Sequence, residues 1–425
     1  MELVPYWLAS SPSFRSAAAG PVEGQCDVAV IGGGFTGLSA AYALAGKGAS
    51  VVLLEQGRVV SQASGRNGGH VNGGAAHSFR AAVAHFGLER ASRYYKAYDE
   101  GVDLVEQLVQ REKIDCQFVR RGKMKLAYKP HHFDDLRRDY ETLVKTVEPG
   151  VKLLSREEAR KEVASDGFHG GLLFESGAMM HVARFGVGLA EASARRGARI
   201  FENAGVTGLE RRADGTFRLT TPRGSIVAKQ VLVATGATTS GPFGYFRRRF
   251  VPFGSFIIAT APLGDNLAKA IMPGNRTVAT TKNIGNYFRL TPDNRLIFGG
   301  RARFAISSPQ SDAKSGIILE RKMLELFPPL AGAKIDYCWG GLIDVTPDRY
   351  PRAGEHKGLY YAMGYSGHGT QMAVRMGHVM TEVMDGHPER NPFHDLGWPA
   401  IPGHFGPPWF LPLVGAYYRF KDMIN

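Results

Sequence analysis

Cysteine is scarce in this 425-residue chain, and the three present, Cys26, Cys116 and Cys338, stand far apart. An odd, scattered set makes neither a disulfide framework nor a zinc site, so a reducing, cytoplasmic setting and no metal are expected. No apolar run reaches about 18 residues, so no membrane-spanning helix is expected. The start, Met1-Glu-Leu-Val-Pro-Tyr-Trp7, lacks the basic leader and apolar stretch of a signal peptide. There is no internal repeat and no low-complexity segment. Carboxylates are the minority charge: 39 Asp and Glu against 52 Lys and Arg leave +13. Such an excess suits nucleic acid or an anionic membrane surface. The basic residues are spread along the chain, however, and the densest run is only Arg247-Arg-Arg249 between Phe246 and Phe250. A solvated basic rim is the expected reading. No nucleic-acid partner is expected, and peripheral membrane contact stays open.

What the chain does have is one organised stretch, Asp27-Val-Ala-Val-Ile-Gly-Gly-Gly-Phe-Thr-Gly-Leu38. Val28 to Ile31 suits a parallel strand buried on both faces. Gly32, Gly34 and Gly37 form G-x-G-x-x-G, with Phe35 and Thr36 between the last two, and a helix of small residues follows. Gly32 permits the tight turn, Gly34 lets a pyrophosphate approach the backbone, and Gly37 lets helix and strand pack closely. The helix start then offers N–H groups to the anion. A second apolar run ends on Glu55, 18 residues past Gly37, where a carboxylate accepts hydrogen bonds from a ribose 2′-hydroxyl. Strand, glycine turn, helix, strand and acid in that order predict a dinucleotide site, and Glu55 favours FAD or NAD over NADP.

Along the chain, residues 1–24 read as a surface-lying N-terminal arm rich in Ser, Ala and Pro. Residues 81–112 and 133–163 have helical texture, and 116–119 with 124–128 read as a strand pair around Arg121-Gly122. Phe185 to Arg196 reads as a helix, and strands are expected at 199–201, 206–210 and 217–220. Val231-Leu-Val-Ala-Thr-Gly-Ala237 is another buried strand entering a glycine turn. From 251 to 300 alternating stretches predict an antiparallel sheet. Residues 314–326 read as a helix. A strand at 358–363 leads through Gly364-Tyr-Ser-Gly-His-Gly-Thr370 into a helix to Met384, and 386–425 reads as a packed aromatic tail. The α/β pieces come from three separated segments. The expected fold class is therefore α/β, with a Rossmann-like dinucleotide domain (25–84, 150–245 and 337–385) interleaved with an antiparallel-sheet substrate domain (85–149 and 246–336), and a ligand across the boundary.

Four features together resemble the FAD-dependent D-amino-acid oxidase superfamily, which includes glycine and sarcosine oxidases. They are the dinucleotide unit, the turn at 233–237, Leu296-Ile-Phe-Gly-Gly300 and Gly364-Tyr-Ser-Gly-His-Gly369. Within it, Ala63-Ser-Gly-Arg-Asn-Gly-Gly69 and Trp339-Gly-Gly-Leu-Ile-Asp-Val-Thr346 resemble the γ-glutamylputrescine oxidase branch. The resemblance implies FAD. It runs the loop with Ser64, Arg66, Asn67 and Gly68 along the diphosphate and ring, with Arg66 pairing a phosphate. It sets Val206 at the adenine and Thr235 and Gly236 close to the cofactor. It sets Gly367, His368, Gly369, Thr370 and Gln371 at the ring's pyrimidine end, beside a second helix N-terminus. His70, Tyr287, Trp339 and His368 become candidates for orienting substrate. The sarcosine oxidase flavin linkage falls near Gly341, three residues past Cys338, so non-covalent FAD is expected.

The same resemblance implies oxidation of a primary or secondary amine. Hydride passes from the α-carbon to flavin N5, and the imine hydrolyses to an aldehyde, as in polyamine catabolism. Sarcosine oxidases hold a substrate carboxylate with a lysine where this chain has Gln371. A carboxylate buried beside the flavin needs a cation. Its absence favours an amine without an α-carboxylate, unless Arg289, Arg301 or Arg303 supplies the charge. Rival readings are a D-amino-acid or N-methyl amino-acid oxidase or dehydrogenase and, from charge alone, a non-enzymatic flavin-bound binding protein. Oxygen and a quinone are both open as acceptor, and the oligomeric state is not legible.

Overall fold

The computed structural model describes residues 1–300, 307–406 and 408–424, the side chains of Tyr418, Arg419 and residues 421–424 excepted. The expected α/β architecture is present. Gln25–Ile31 and Val51–Leu54 pair in parallel, with Val30 opposite Leu53 on one side and Leu232 on the other. Arg199–Phe201 extends the sheet beyond Val51–Leu54, and Leu359–Met363 pairs in parallel with the end of Gly224–Val233. Phe217–Thr221 with Gly208–Arg211, and Arg352–His356, add antiparallel margins that complete eight strands. Val28–Ile31 and Val51–Leu54 at the centre are apolar throughout because both faces of the sheet are buried. Helix Phe35–Gly46 is buried nearly all round, packed against Val182–Arg195 and Gly369–Met384. Its small residues allow that close approach.

The second sheet also has eight strands, in the order Ile335–Val345, Val251–Thr260, Leu296–Gly300, Asn286–Leu290, Thr277–Thr280, Lys123–Leu126, Gly171–Phe174, Lys152–Leu154. Strand alternation divides its side chains between two cores. Phe256, Ile258, Phe288 and Phe298 join Leu319 and Met323 of helix Pro309–Leu326. Ile257, Ile297 and Trp339 face the other way, into the core shared with the dinucleotide unit, and Tyr287 packs against it. The two domains therefore share a core along this face. A three-stranded ribbon, His70–Asn72, Gly177–Met179 and Val119–Arg120, lies beside them.

Several expectations are corrected. Lys152–Leu154 and Gly171–Phe174 pair in the second sheet, not with the dinucleotide strands. Helix Leu88–Glu112 packs against Gly369–Met384 and contributes Tyr94, Tyr98 and Val105 to the first core. Val119–Arg120 and Lys123–Leu126 do not pair with each other; each joins a different sheet. The N-terminal arm is not merely surface-lying, because Trp7 is fully buried and its indole N–H donates to the Asn67 carbonyl at 2.7 Å. The tail ends in a helix, Leu411–Ile424, with exposed aromatics rather than packed ones. Among the described residues no helix is long and apolar enough to cross a membrane, and no metal-binding cluster occurs.

Candidate cofactor and substrate site

The ends of the parallel strands open into one long cavity of about 520 Å³. Of the residues expected at a dinucleotide, Gly32, Gly34, Phe35, Thr36, Glu55, Ser64, Asn67, Val206, Thr235, Gly236, Gly367, Gly369 and Thr370 line it. Residues far apart in sequence thus meet where the pattern requires. Gly32 has φ +109°, and a β-carbon there would stand 2.6 Å from the Ala234 carbonyl oxygen. Gly37 does not line the cavity. A β-carbon on it would collide with the Gly32 carbonyl oxygen, so it keeps the turn closed against the helix.

The cavity's polar lining suits a dinucleotide. Helix Phe35–Gly46 starts at Gly34 with no side-chain cap, although Phe35 N–H donates to Ser64 Oγ at 3.0 Å. Thr36 Oγ1 meets Tyr365 Oη at 2.7 Å. Glu55 is buried and accepts from Gly33 N–H at 2.6 Å and Gly57 N–H at 2.8 Å. Those bonds fix its carboxylate at the cavity wall and leave lone pairs for hydroxyl donors. Burial raises its pKa against the pull of the two N–H groups.

A second helix start completes the lining. Helix Gly369–Met384 follows the Gly364–His368 turn, and Thr370 Oγ1 donates to Asn67 Oδ1 at 3.4 Å. The Asn67 amide also donates to the carbonyls of Ala63 and Ser64, while Oδ1 accepts from Gly69 N–H at 2.9 Å. That network holds the glycine-rich loop against the helix start. Leu342, Ile343 and Asp344 line the cavity from strand Ile335–Val345. None of the three cysteines lines it, and Cys338 is buried with its thiol on the Asp312 carbonyl. This lining fits FAD held without a covalent bond.

Several assigned side chains do other work. Arg66 is not at the cavity: its Nε donates to Ser61 O at 2.7 Å and its Nη1 to Gly340 O at 3.1 Å. Arg58 is the lining arginine instead, and it donates to Ser13 Oγ. Gln371 is buried and its amide donates to the Asn72 carbonyl, joining the helix to strand His70–Asn72. Gly68 presents its carbonyl to Arg289 and has the Tyr287 ring against its α-carbon, outside the cavity. Trp339 is a core side chain whose N–H donates to Arg66 O at 2.8 Å. His368 is exposed beside the turn and does not line the cavity.

His70 and Tyr287 do meet, edge to face, with centroids 5.4 Å apart. Tyr287 Oη lies 3.1 Å from Ser255 Oγ. His70 Nδ1 lies 3.2 Å from the Gly68 carbonyl, while Nε2 is buried without a hydrogen-bond partner. Burial, with the Arg289 charge, lowers its pKa to about 4, so the ring is neutral. Arg289 is 1% exposed and donates to the carbonyls of Gly68, Leu290 and Met180. Arg301 and Arg303 lie outside the described residues.

Sequence reasoning missed Asp344 and Tyr365. Asp344 Oδ2 accepts from Gly364 N–H at 2.6 Å, and burial lifts its carboxyl to about 6. The signal was its place in Trp339–Thr346, two residues before a Thr-Pro turn. Tyr365 was within the glycine turn itself.

Known proteins agree with this geometry. A family model described as FAD dependent oxidoreductase matches residues 27–383. Gamma-glutamylputrescine oxidoreductase of Escherichia coli is 33% identical over 406 residues, covering 94% of this chain and 93% of that protein. A probable oxidoreductase OrdL of Haemophilus influenzae is 31% identical over 94% of this chain and 92% of its own. In fold, the chain is similar to the crystal structure of glycine oxidase from Geobacillus kaustophilus, with TM-score 0.73, 23% identity, and coverage of 86% of this chain and 95% of that one.

Proposed function

Since the chain belongs to the family of FAD-dependent oxidoreductases and oxidises an amine-type donor with non-covalent FAD, we propose that its donor is the amine end of a polyamine derivative of the γ-glutamylputrescine kind. Bound FAD supplies the acceptor for the hydride that leaves the carbon next to nitrogen. The net reaction is R–CH2–NH2, water and an oxidised acceptor giving R–CHO, ammonia and the reduced acceptor. Oxygen or a quinone serves as that acceptor.

The protein's part is binding and electrostatics. Glu55 and the start of helix Phe35–Gly46 would hold the ribose and diphosphate. Gly367, Gly369 and Thr370, at the start of the last domain helix, would receive negative charge on the ring. A desolvated site beside the ring would lower a substrate amine's pKa, so the amine reacts neutral without a strong base.

One observation carries the choice of donor. Two cations beside the glycine-rich loop already face carbonyls: Arg289 meets three of them, and the Lys123 ammonium meets Gly73 O over the Phe174 ring. Gln371 is neutral and engaged with Asn72. None of these three is available to a substrate carboxylate, which favours a donor without one beside the reacting carbon unless Arg301 or Arg303, outside the described residues, supplies the charge. The relative from Escherichia coli named for γ-glutamylputrescine points the same way.

Anaerobic mixing of the flavin-loaded enzyme with a panel of amines tests this. Flavin absorbance should bleach with γ-glutamylputrescine or similar N-acylated diamines, and slowly or not at all with glycine, sarcosine and D-alanine. Bleaching by the amino acids but not the diamines would give the site to an amino-acid oxidase instead.

A further inference from the structure

The chain ends in a helix that turns its apolar side outward. Trp409 stands in the turn just before helix Leu411–Ile424, and Leu413, Tyr417 and Phe420, at spacings of four and three residues, follow one face of that helix. They are 69, 68, 59 and 58% exposed, and Phe405 just before them is 72% exposed. Half of the ten exposed large apolar side chains among the described residues thus fall between 405 and 420. A contiguous exposed apolar stripe of this kind marks an interaction surface.

The segment that leads into the stripe is tied down. Trp398 N–H donates to Arg249 O at 3.0 Å, and Arg249 Nε returns a bond to Trp398 O at 2.9 Å. Ile401 N–H donates to Arg248 O at 2.9 Å, and His404 Nε2 lies 2.9 Å from the Phe250 carbonyl. The tail is therefore strapped along the most basic run of the sequence. Arg248 is exposed and its guanidinium stands 5.4 Å from the Phe405 ring centroid. Among the described residues none of Arg247, Arg248 and Arg249 has a carboxylate partner. From Leu396 to the end the sequence adds Arg419 and Lys421 and a single acidic side chain, Asp422.

Charge selects the occupant. A second copy would bring the same arginines face to face on a chain of net charge +13. An anionic lipid surface attracts them, and Trp, Tyr and Phe with flanking Arg are the residues that settle at a headgroup boundary. We propose that this face docks the enzyme on an anionic bilayer. Trp409, Leu413 and Phe420 enter the headgroup region, and Arg247 and Arg248 meet lipid phosphates.

Flotation of the flavin-loaded full chain with vesicles tests this. Binding is expected to phosphatidylglycerol–phosphatidylcholine vesicles at low salt, weaker at high salt, and weaker still to phosphatidylcholine alone. The triple variant Trp409→Ser, Leu413→Ser, Phe420→Ser should bind about tenfold more weakly or worse, with flavin content and amine turnover unchanged. Wild-type protein that never floats, or a variant that floats as well as wild type, overturns the proposal. So does sedimentation showing a dimer that the variant reduces to a monomer, because the face would then serve a second copy.

Discussion

Arg289 directs its Nε at the Gly68 carbonyl, 2.9 Å away, from a strand 221 residues further along the chain. The contact pins the glycine-rich loop to the second sheet. The same guanidinium reaches Met180 O at 2.7 Å and stands over the Trp7 ring at 4.9 Å. One buried cation therefore ties the N-terminal arm, the loop and both domains together. Burial depresses its pKa to about 9.

Replacing it should damage the scaffold and leave the choice of donor intact. Arg289→Met strips donors from three carbonyls, two of them distant in sequence, and should cost about 2–5 kcal/mol. Arg289→Lys should recover only part of that, because an ammonium cannot reproduce the fork. Urea unfolding measures the loss. The ratio of diamine to amino-acid turnover should not move. A collapse of amino-acid turnover alone would instead make Arg289 a carboxylate anchor.

Trp7→Ala should be nearly as severe. The side chain is fully buried against His181, with ring centroids 4.9 Å apart, and its N–H holds Asn67 O. Truncation should cost about 3–5 kcal/mol by cavity formation. Since Asn67 lines the cavity, flavin affinity should also weaken, by about tenfold if one hydrogen bond's worth of order is lost. Fluorescence titration of apoprotein with FAD reads the second effect. Unchanged affinity would show that the arm supports the fold only.

The parts of the site that were legible from sequence are those in which backbone does the work. Gly32, Gly37 and Glu55 follow from a strand–turn–helix–strand order confined to one short stretch, and Thr235, Gly236, Gly367, Gly369 and Thr370 from strands that run into glycine turns. Side-chain direction was less legible. Arg66, Trp339 and Gln371 stand in the expected segments but turn toward carbonyls, and nothing local sets which way a long side chain faces. Trp7 and Arg289 were harder still. Their importance arises from partners 60 and 221 residues away, which only the folded chain brings together. The basic run at 247–249 was visible, but the strap that the tail lays along it was not.

His70 should be dispensable as a proton carrier. Its folded pKa lies near 4, below the ordinary 6.5, so it is neutral at neutral pH. As pH falls through 6.5 the unfolded state takes up a proton that the folded state refuses, and stability drops until about pH 4. His70→Gln should remove that drop and keep kcat within about threefold, with the pH profile of kcat/KM unshifted. A loss of about a hundredfold or more would mark a genuine acid or base.

Asp344 should show the opposite dependence. Burial lifts its carboxyl from 3.8 to about 6 in the fold, against the pull of the Gly364, Asp344 and Tyr365 N–H groups. The folded state thus holds a proton that the unfolded chain releases. Its contribution to stability is best below pH 4, declines as pH rises through the interval to 6, and is level above. An asparagine keeps an acceptor for Gly364 N–H without the buried charge. Asp344→Asn should therefore match wild type near the acid end and exceed it by roughly 3 kcal/mol at neutral pH. Paired urea titrations of the two apoproteins across that interval give the difference directly. Curves that stay parallel would mean that the Gly364, Asp344 and Tyr365 N–H groups already satisfy this carboxylate as an anion.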